Sequence, residues 1–260
     1  MGDAVVSVWV SGLDGVPIQA QNVNQQHYPA SLIKLPIAIA AHRLADRGEL
    51  DLDAVVAVHA DFASATGSDR FETDPARDQD PETWAALGGR LPLRELVRRS
   101  LTHSGNLAAN LVLEQVGLPE VAAVLAAAGC SPMTEVVRGI DDLPARAAGR
   151  QNHATAHDMA RVLIALAAGR LASPQASAEL EEHLRAQQHR DGIPLALPAD
   201  VPVGNKTGSV DGVRHDIALA RPADREPVVL AILTTGLDDD ESEWRISELA
   251  RYVWDVHARP

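Results

Sequence analysis

Lysine is almost missing from this chain. Twenty-one arginines supply its positive charge and only two lysines are kept, Lys34 and Lys206. Aromatic residues are scarce too, at 3%, and there is a single cysteine, Cys130. One cysteine cannot close an internal disulfide, so nothing marks an oxidising compartment. In the setting LAAAGCSPM it reads as a small buried residue. Basic patches are also lacking. The net charge of −13 argues against nucleic acid and anionic membrane surfaces as partners. No unbroken apolar run of about 18 residues occurs, so no segment is expected to span a membrane. The opening MGDAVVSVWV has neither a basic n-region nor a cleavage pattern. The compartment stays open: cytoplasmic if this is the native start, periplasmic or secreted if an export segment precedes it.

What is present is a chain of 260 residues, 46% of them hydrophobic, enough to bury a full core. AVVSVWV alternates as a strand, and GLDGVP supplies an Asp14-Gly15 turn before a second strand near PIQAQNV. A helix is expected from about Ser31 to Arg47, started by Ser31 and stopped by Gly48. Its apolar residues occupy every face, so it should be buried. From there to about residue 190 the pattern is helical. LRELVRRSL, NLAANLVLEQVG, EVAAVLAAAG and AHDMARVLIALAAGRL are the clear helices, and 67–83 and 138–152 are loops. After Pro198 the period changes. VPVGNKTGSV, VRHDIALARP and PVVLAILTT read as three strands, and ESEWRISELARYVWDV as a closing amphipathic helix. Two strands in front and three behind, around a helical insertion, suggest one antiparallel sheet assembled from both ends.

The kept lysines carry the chemistry. Arginine stays protonated in a protein, whereas a desolvated lysine can lose its proton and act as a base. Ser31 and Lys34 fall one helical turn apart on one face, and a hydroxyl beside a neutral amine is an activated nucleophile. Ser-x-x-Lys alone is equally well an ordinary helix start followed by a chance lysine. Lys206 lies in NKTGS on an expected strand. Asn205 stands where a phosphate loop would carry glycine, so that reading fails. Between the lysines, THSGNLAANLVLEQ offers Ser104-Gly105-Asn106 at the opening of a helix.

Ser-x-x-Lys, Ser-x-Asn and Lys-Thr-Gly in this order resemble the motif set of the class A β-lactamases and related penicillin-binding proteins. SLIKLPIAIA, SGNLAANLVLEQVG, ATAHDMARVL, LPADVPVGNKTG and GVRHDIALARP read like that superfamily's segments in sequence, so the resemblance spans nearly the whole chain. It implies an α+β, β-lactamase/transpeptidase-like fold: a five-stranded antiparallel sheet from roughly 1–50 and 195–260, and an all-helical lobe from roughly 51–194. The two would form a single catalytic domain over 1–260. It implies Ser31 as the acyl-accepting nucleophile, Lys34 as its base, Ser104 as a proton relay to the leaving nitrogen, and Asn106 as a holder of the substrate amide. Lys206 and Thr207, with Gly208 and Ser209, would bind a substrate carboxylate. The backbone N–H groups of Ser31 and Ser209 would form the oxyanion hole, and Arg214 on the next strand is a further carboxylate-binding candidate.

Two departures stand out. Gly105 replaces the aspartate usual between the serine and asparagine, which removes a support from that loop. The loop usually reading Arg-x-Glu-x-x-Leu-Asn is Arg138-Gly139-Ile140-Asp141-Asp142-Leu143-Pro144. This register puts Ile140 at the water-activating glutamate and Pro144 at the asparagine. Asp141 or Asp142 would substitute only in a rearranged loop. The expectation is a serine hydrolase acting on β-lactams or related cyclic amides, acylated readily and deacylated slowly. The alternatives are a D-alanyl peptidase or esterase, or a β-lactam-binding protein that stays acylated. The expected partner is a small molecule bearing a carboxylate, met by a monomer without metal or cofactor. His153 and His157 have the i, i+4 spacing of metal ligands but no third partner, and Thr155 reads as a helix cap. Asp69, Glu72, Asp74, Asp78 and Asp80 lack calcium-loop spacing and read as a solvated rim. His103 reads as a half-buried structural residue.

Overall fold

The computed structural model describes residues 4–257. Five antiparallel strands form the main sheet: β1 (Val5–Ser11), β2 (Pro17–Gln21), β3 (Val203–Val210), β4 (Val213–Ala220) and β5 (Val228–Thr235). Their order is β2-β1-β5-β4-β3, so the front hairpin and the back meander join where β1 pairs with β5, from Val5 opposite Thr235 to Ser11 opposite Val229. The β3–β4 hairpin closes through Asp211-Gly212 between the paired Val210 and Val213, and Gly212 takes the left-handed φ of 71° that such tight turns need.

Strand alternation divides the core in two. Val8, Val10, Ala218, Leu230 and Ile232 face the C-terminal helix α6 (Asp239–His257) through Ile246, Ala250 and Val253. Trp9, Ile217, Leu219, Val229, Ala231 and Leu233 face the larger cluster on the other side. That cluster is built around α1 (Lys34–Asp46), α2 (Leu93–Thr102), α3 (Asn106–Ala128), α4 (Ala156–Ala167) and α5 (Pro174–Arg185). Every residue of α1 from Lys34 to His42 is buried, as its uniformly apolar pattern predicts. The two helices read from NLAANLVLEQVG and EVAAVLAAAG meet in α3, where Gly117 (φ 75°, ψ 153°) breaks the helical path two residues before Pro119. By length and composition α3 is apolar enough to cross a membrane; here Leu107, Leu111, Val112, Val121 and Val124 enter the core.

Two expectations are corrected. The helix does not begin at Ser31: Ala30–Ile33 is a 3-10 turn, and the α-helix runs from Lys34 to Asp46. No side chain caps either start, so the Ser31 hydroxyl is not used as a cap. The segment after residue 51 is also not wholly helical. Val55–Ala57 pairs with Arg90–Pro92, and Asp61–Ala63 with Arg70–Glu72. Strands of three residues are too short for a period of two to register.

Beneath the sheet, His27 and His215 meet edge to face with ring centroids 5.5 Å apart. His27 shares hydrogen bonds with Ser7 Oγ (2.8 Å) and Thr235 Oγ1 (2.7 Å); His215 Nε2 lies 2.8 Å from the Tyr28 carbonyl. Burial pulls His27 down to about 4 and His215 down to about 3. Both fold as neutral rings that the unfolded chain would protonate, so their contribution is complete above pH 6.5 and is lost as pH falls through the folded values. Denaturant midpoints between pH 6.5 and 4.5 should show wild-type stability falling more steeply than that of His27→Gln, by up to about 1.4 kcal/mol per pH unit. Parallel slopes would show that His27 does not titrate with unfolding.

Candidate active site

Three elements bring the motif residues together. Ser31 lies in the 3-10 turn and Lys34 opens α1. Ser104 stands in the loop before α3, Asn106 is the first residue of that helix, and Lys206 to Ser209 occupy β3. Lys34 Nζ donates to Asn106 Oδ1 at 2.8 Å, to Ser104 Oγ at 3.3 Å, and to the Ser104 carbonyl. From the opposite side Lys206 Nζ reaches the same Ser104 hydroxyl at 3.0 Å and the Thr207 carbonyl at 2.8 Å. Both lysines are fully buried. Burial pulls the Lys34 ammonium down to about 7 against the opposing charges of Asp78, Asp141 and Asp80. Burial, then the charge of Lys34, holds Lys206 well below the ordinary lysine range. An amine near 7 is available as a base at neutral pH.

Gly208 explains why β3 can approach the Ser31 turn. A Cβ there would stand 2.8 Å from the Pro29 carbonyl oxygen and 3.3 Å from the Leu32 nitrogen, both backbone atoms. Any larger residue would lever the strand away from the serine. Next to it, Ser31, Ser104, Asn106, Thr207, Ser209 and Arg214 share the wall of an open cleft of about 720 Å³. Arg214 reaches that wall already paired, to Asp191 and to Glu243 at 3.1 Å.

The sequence reading missed several supports. Asp78 accepts from the backbone N–H groups of Asn106 and Leu107, each at 2.8 Å, and so caps α3 and fixes Asn106. Asp80 is buried, bound to Arg99 Nη1 at 2.6 Å and to Thr83. A Cβ on Gly105 would lie 2.9 Å from Asp80 Cβ. The space that an aspartate at 105 would need is therefore filled by an aspartate from another loop. This corrects the expectation that the loop loses support, and with it the picture of the acidic segment as a solvated rim. Asp69, Glu72 and Asp74 are exposed, whereas Asp78 is half-buried and Asp80 fully buried. Asp74-Pro75 and Asp80-Pro81 were the readable signal, a capping residue followed by proline. Behind Lys206, buried Asp216 accepts from Asn205 Nδ2 at 3.0 Å and from the Ile193 N–H at 2.8 Å. Burial lifts its carboxyl to about 7.

In the 138–144 loop, Asn110 grips position 140 by both backbone atoms: Nδ2 donates to the Ile140 carbonyl (2.8 Å) and Oδ1 accepts from its N–H (3.0 Å). Ile140 and Asp141 line the cleft. Asp142 does not; it accepts from Ser64 Oγ (2.7 Å), the Ala65 N–H (2.8 Å) and the Ala145 N–H (3.0 Å). Thr155 caps α4 as expected, and His157 rests against Trp9 at 4.7 Å. His103 is half-buried and shares hydrogen bonds with Thr102 and Gln188. Cys130 is only half-buried, with burial pushing its thiol up to about 12.

Next to the five-stranded sheet, then, two buried lysines meet on the Ser104 hydroxyl beside an open cleft that Ser31 also lines. The chain belongs to the beta-lactamase enzyme family, whose family model matches residues 2–257. It is 32% identical over 174 residues to a beta-lactamase of Amycolatopsis lactamdurans, covering 64% of this chain and 56% of that protein. It is 27% identical over 200 residues to beta-lactamase SME-1 of Serratia marcescens, covering 70% and 64%. These alignments thus span less than two thirds of the curated relatives' length. Among solved structures, a variant of the class A beta-lactamase of the last common ancestor of Gram-negative bacteria superposes with a TM-score of 0.83 at 26% identity, covering 99% of this chain and 94% of that one.

The close approach at Gly208 sets a test of the architecture. Gly208→Ala should lower stability in urea by about 1–3 kcal/mol, the cost of overpacking between backbones. An unchanged midpoint would show that β3 and the Ser31 turn can separate freely.

Proposed function

We propose that this protein is a serine hydrolase of the class A type that forms an acyl-enzyme at Ser31 with a β-lactam or a related cyclic amide carrying a carboxylate. The observation that carries the reading is the pair of buried lysines on the Ser104 hydroxyl, at 3.3 Å and 3.0 Å. Neutral Lys34 takes the Ser31 proton as Oγ attacks the amide carbonyl. The Ser31 and Ser209 backbone N–H groups receive the developing oxyanion. Ser104 passes a proton to the leaving nitrogen, with Lys206 holding that hydroxyl in place, and Asn106 holds the substrate amide. Lys206, Thr207 and Ser209 take the substrate carboxylate. Arg214 contributes less than a free cation would, since Asp191 and Glu243 share its charge. The protein acts as a monomeric single domain on a small molecule, with no nucleic acid, membrane, metal or cofactor taking part.

Deacylation is the slow step of this proposal. Asn110 fixes the backbone of residue 140 beside the cleft, and the side chain there is isoleucine. An aliphatic group cannot take a proton from water, and a positioned base is worth roughly 10²–10⁴ in rate. The same observation favours the second reading, a β-lactam-binding protein that remains acylated. A D-alanyl peptidase or esterase would use the same residues on a different acyl donor.

Intact-mass time courses with a penicillin should show about one equivalent of rapid adduct followed by slow release. Ser31→Ala should give no adduct, and Lys34→Arg almost none. Full labelling of either variant would refute the mechanism, and fast multiple turnover without adduct would refute slow deacylation. Lys206→Ala should weaken reaction with carboxylate-bearing substrates by about 2–3 kcal/mol in transition-state stabilisation, and with neutral esters by much less. Equal losses would remove Lys206 as the anchor.

A further inference from the structure

We infer that Asp141 holds and activates the water that hydrolyses the Ser31 ester, one residue beyond the position that carries the isoleucine. The inference rests on the acyl-enzyme reading above. Asn110 clamps both backbone atoms of Ile140, so the chain cannot slide to present a different residue at 140. The next residue turns instead. Asp141 adopts a left-handed φ of 63°, a conformation uncommon outside glycine but better tolerated by aspartate and asparagine than by most residues. Asp141 lines the cleft that Ser31, Ser104 and Asn106 also line, and its side chain is only 7% exposed.

The carboxylate is held but not consumed. Oδ1 lies 3.3 Å from Arg77 Nη1 on the facing turn. Oδ2 has the Asp74 N–H at 3.5 Å, long for a hydrogen bond, and retains capacity to accept from water. The neighbouring carboxylates are committed elsewhere: Asp142 to Ser64, Ala65 and Ala145, Asp78 to the start of α3, Asp80 to Arg99 and Thr83.

In the step, Asp141 takes one proton from water as the water oxygen bonds to the acyl carbon. The tetrahedral intermediate then collapses with cleavage of the bond from that carbon to Ser31 Oγ. The proton taken by Asp141 passes to the departing oxygen, so ester and water become free acid and serine. Aspartate is one methylene shorter than glutamate and Arg77 shares its charge, which accounts for a slow step that still proceeds.

The test follows the adduct by mass after a penicillin pulse. Asparagine tolerates the left-handed backbone, so Asp141→Asn should still acylate, and its adduct should outlast that of wild type by at least about tenfold. Adducts decaying at equal rates would overturn the role of Asp141 while leaving the acyl-enzyme intact. No adduct and no turnover in wild type would overturn the acyl-enzyme and this inference together. A measurement on wild type alone guards against a misfolded variant. The charged groups facing Asp141 are Arg77 and Asp74 from the facing turn and Lys34 from α1, and burial lifts the Asp141 carboxyl above its ordinary value of 3.8. The deacylation rate should fall as pH is lowered over the interval from neutrality to that value, as this carboxyl takes up its proton. A rate flat across that interval would overturn the proposal.

Discussion

Two fully buried lysines, each a potential ammonium charge, meet on one serine hydroxyl, and much of the site is arranged around that fact. Moving a charge of this kind from water into a protein interior costs several kcal/mol even after relaxation. Two adjacent positive charges cost more. The interior answers by releasing protons and by supplying negative charge. Asp78, Asp80 and Asp141 raise the proton affinity of Lys34 while burial lowers it, and the balance falls near 7. Asp216, on β4, does the same for Lys206. Arginine could not settle at such a balance, since its proton does not leave. A chain that otherwise prefers arginine therefore has a physical reason to keep lysine at these two positions.

Holding three elements at that convergence strains the backbone. Four non-glycine residues have positive φ among the described residues: Asn22, Ala30, Ser104 and Asp141. The last three line the cleft. Each such residue costs of order 1–3 kcal/mol unless its surroundings over-determine it. Three contacts do so here. Gly208 packs against the turn that contains Ala30, Asp78 caps the helix that follows Ser104, and Asn110 fixes the residue before Asp141. The strain is concentrated where side chains must point into a cleft instead of into the core.

The residues that gather at the cleft were legible because the motifs are local: Ser31 with Lys34, Ser104 with Asn106, and Lys206 through Ser209 each lie within one turn or one strand. The sheet was legible for a related reason, since β1 alternates in AVVSVWV and β5 is an apolar run of strand length, VVLAILTT, both local signals. What sequence did not yield acts across long separations. Asp78 caps a helix 28 residues away, and Asp80 fills the space at Gly105. Neither relation has a periodicity to read. The register of the 138–144 loop lay between these cases. Arg138 and Leu143 were enough to place Ile140, but Leu143 is 53% exposed and fixes nothing; the contact that holds Ile140 comes from Asn110, on another helix.

Under the proposed function an anionic substrate has to reach an acidic protein. A net charge of −13 repels anions in general, but exposed charges farther than about 8–10 Å from the cleft are largely screened at physiological salt. Inside the cleft the balance is local. Arg77 is offset by Asp141, and Arg214 by Asp191 and Glu243. Arg146 lines the cleft as well, so on the proposed reading the positive potential for a carboxylate comes from Arg146 together with Lys206 and the donors beside it on β3. Yet burial holds Lys206 well below the ordinary lysine range before any ligand arrives. A carboxylate entering next to it would favour the protonated amine, so binding and proton uptake at Lys206 would be coupled. On that reading the proton that completes the proposed anchor would arrive with the substrate, and the empty site would be spared a second full positive charge beside Lys34.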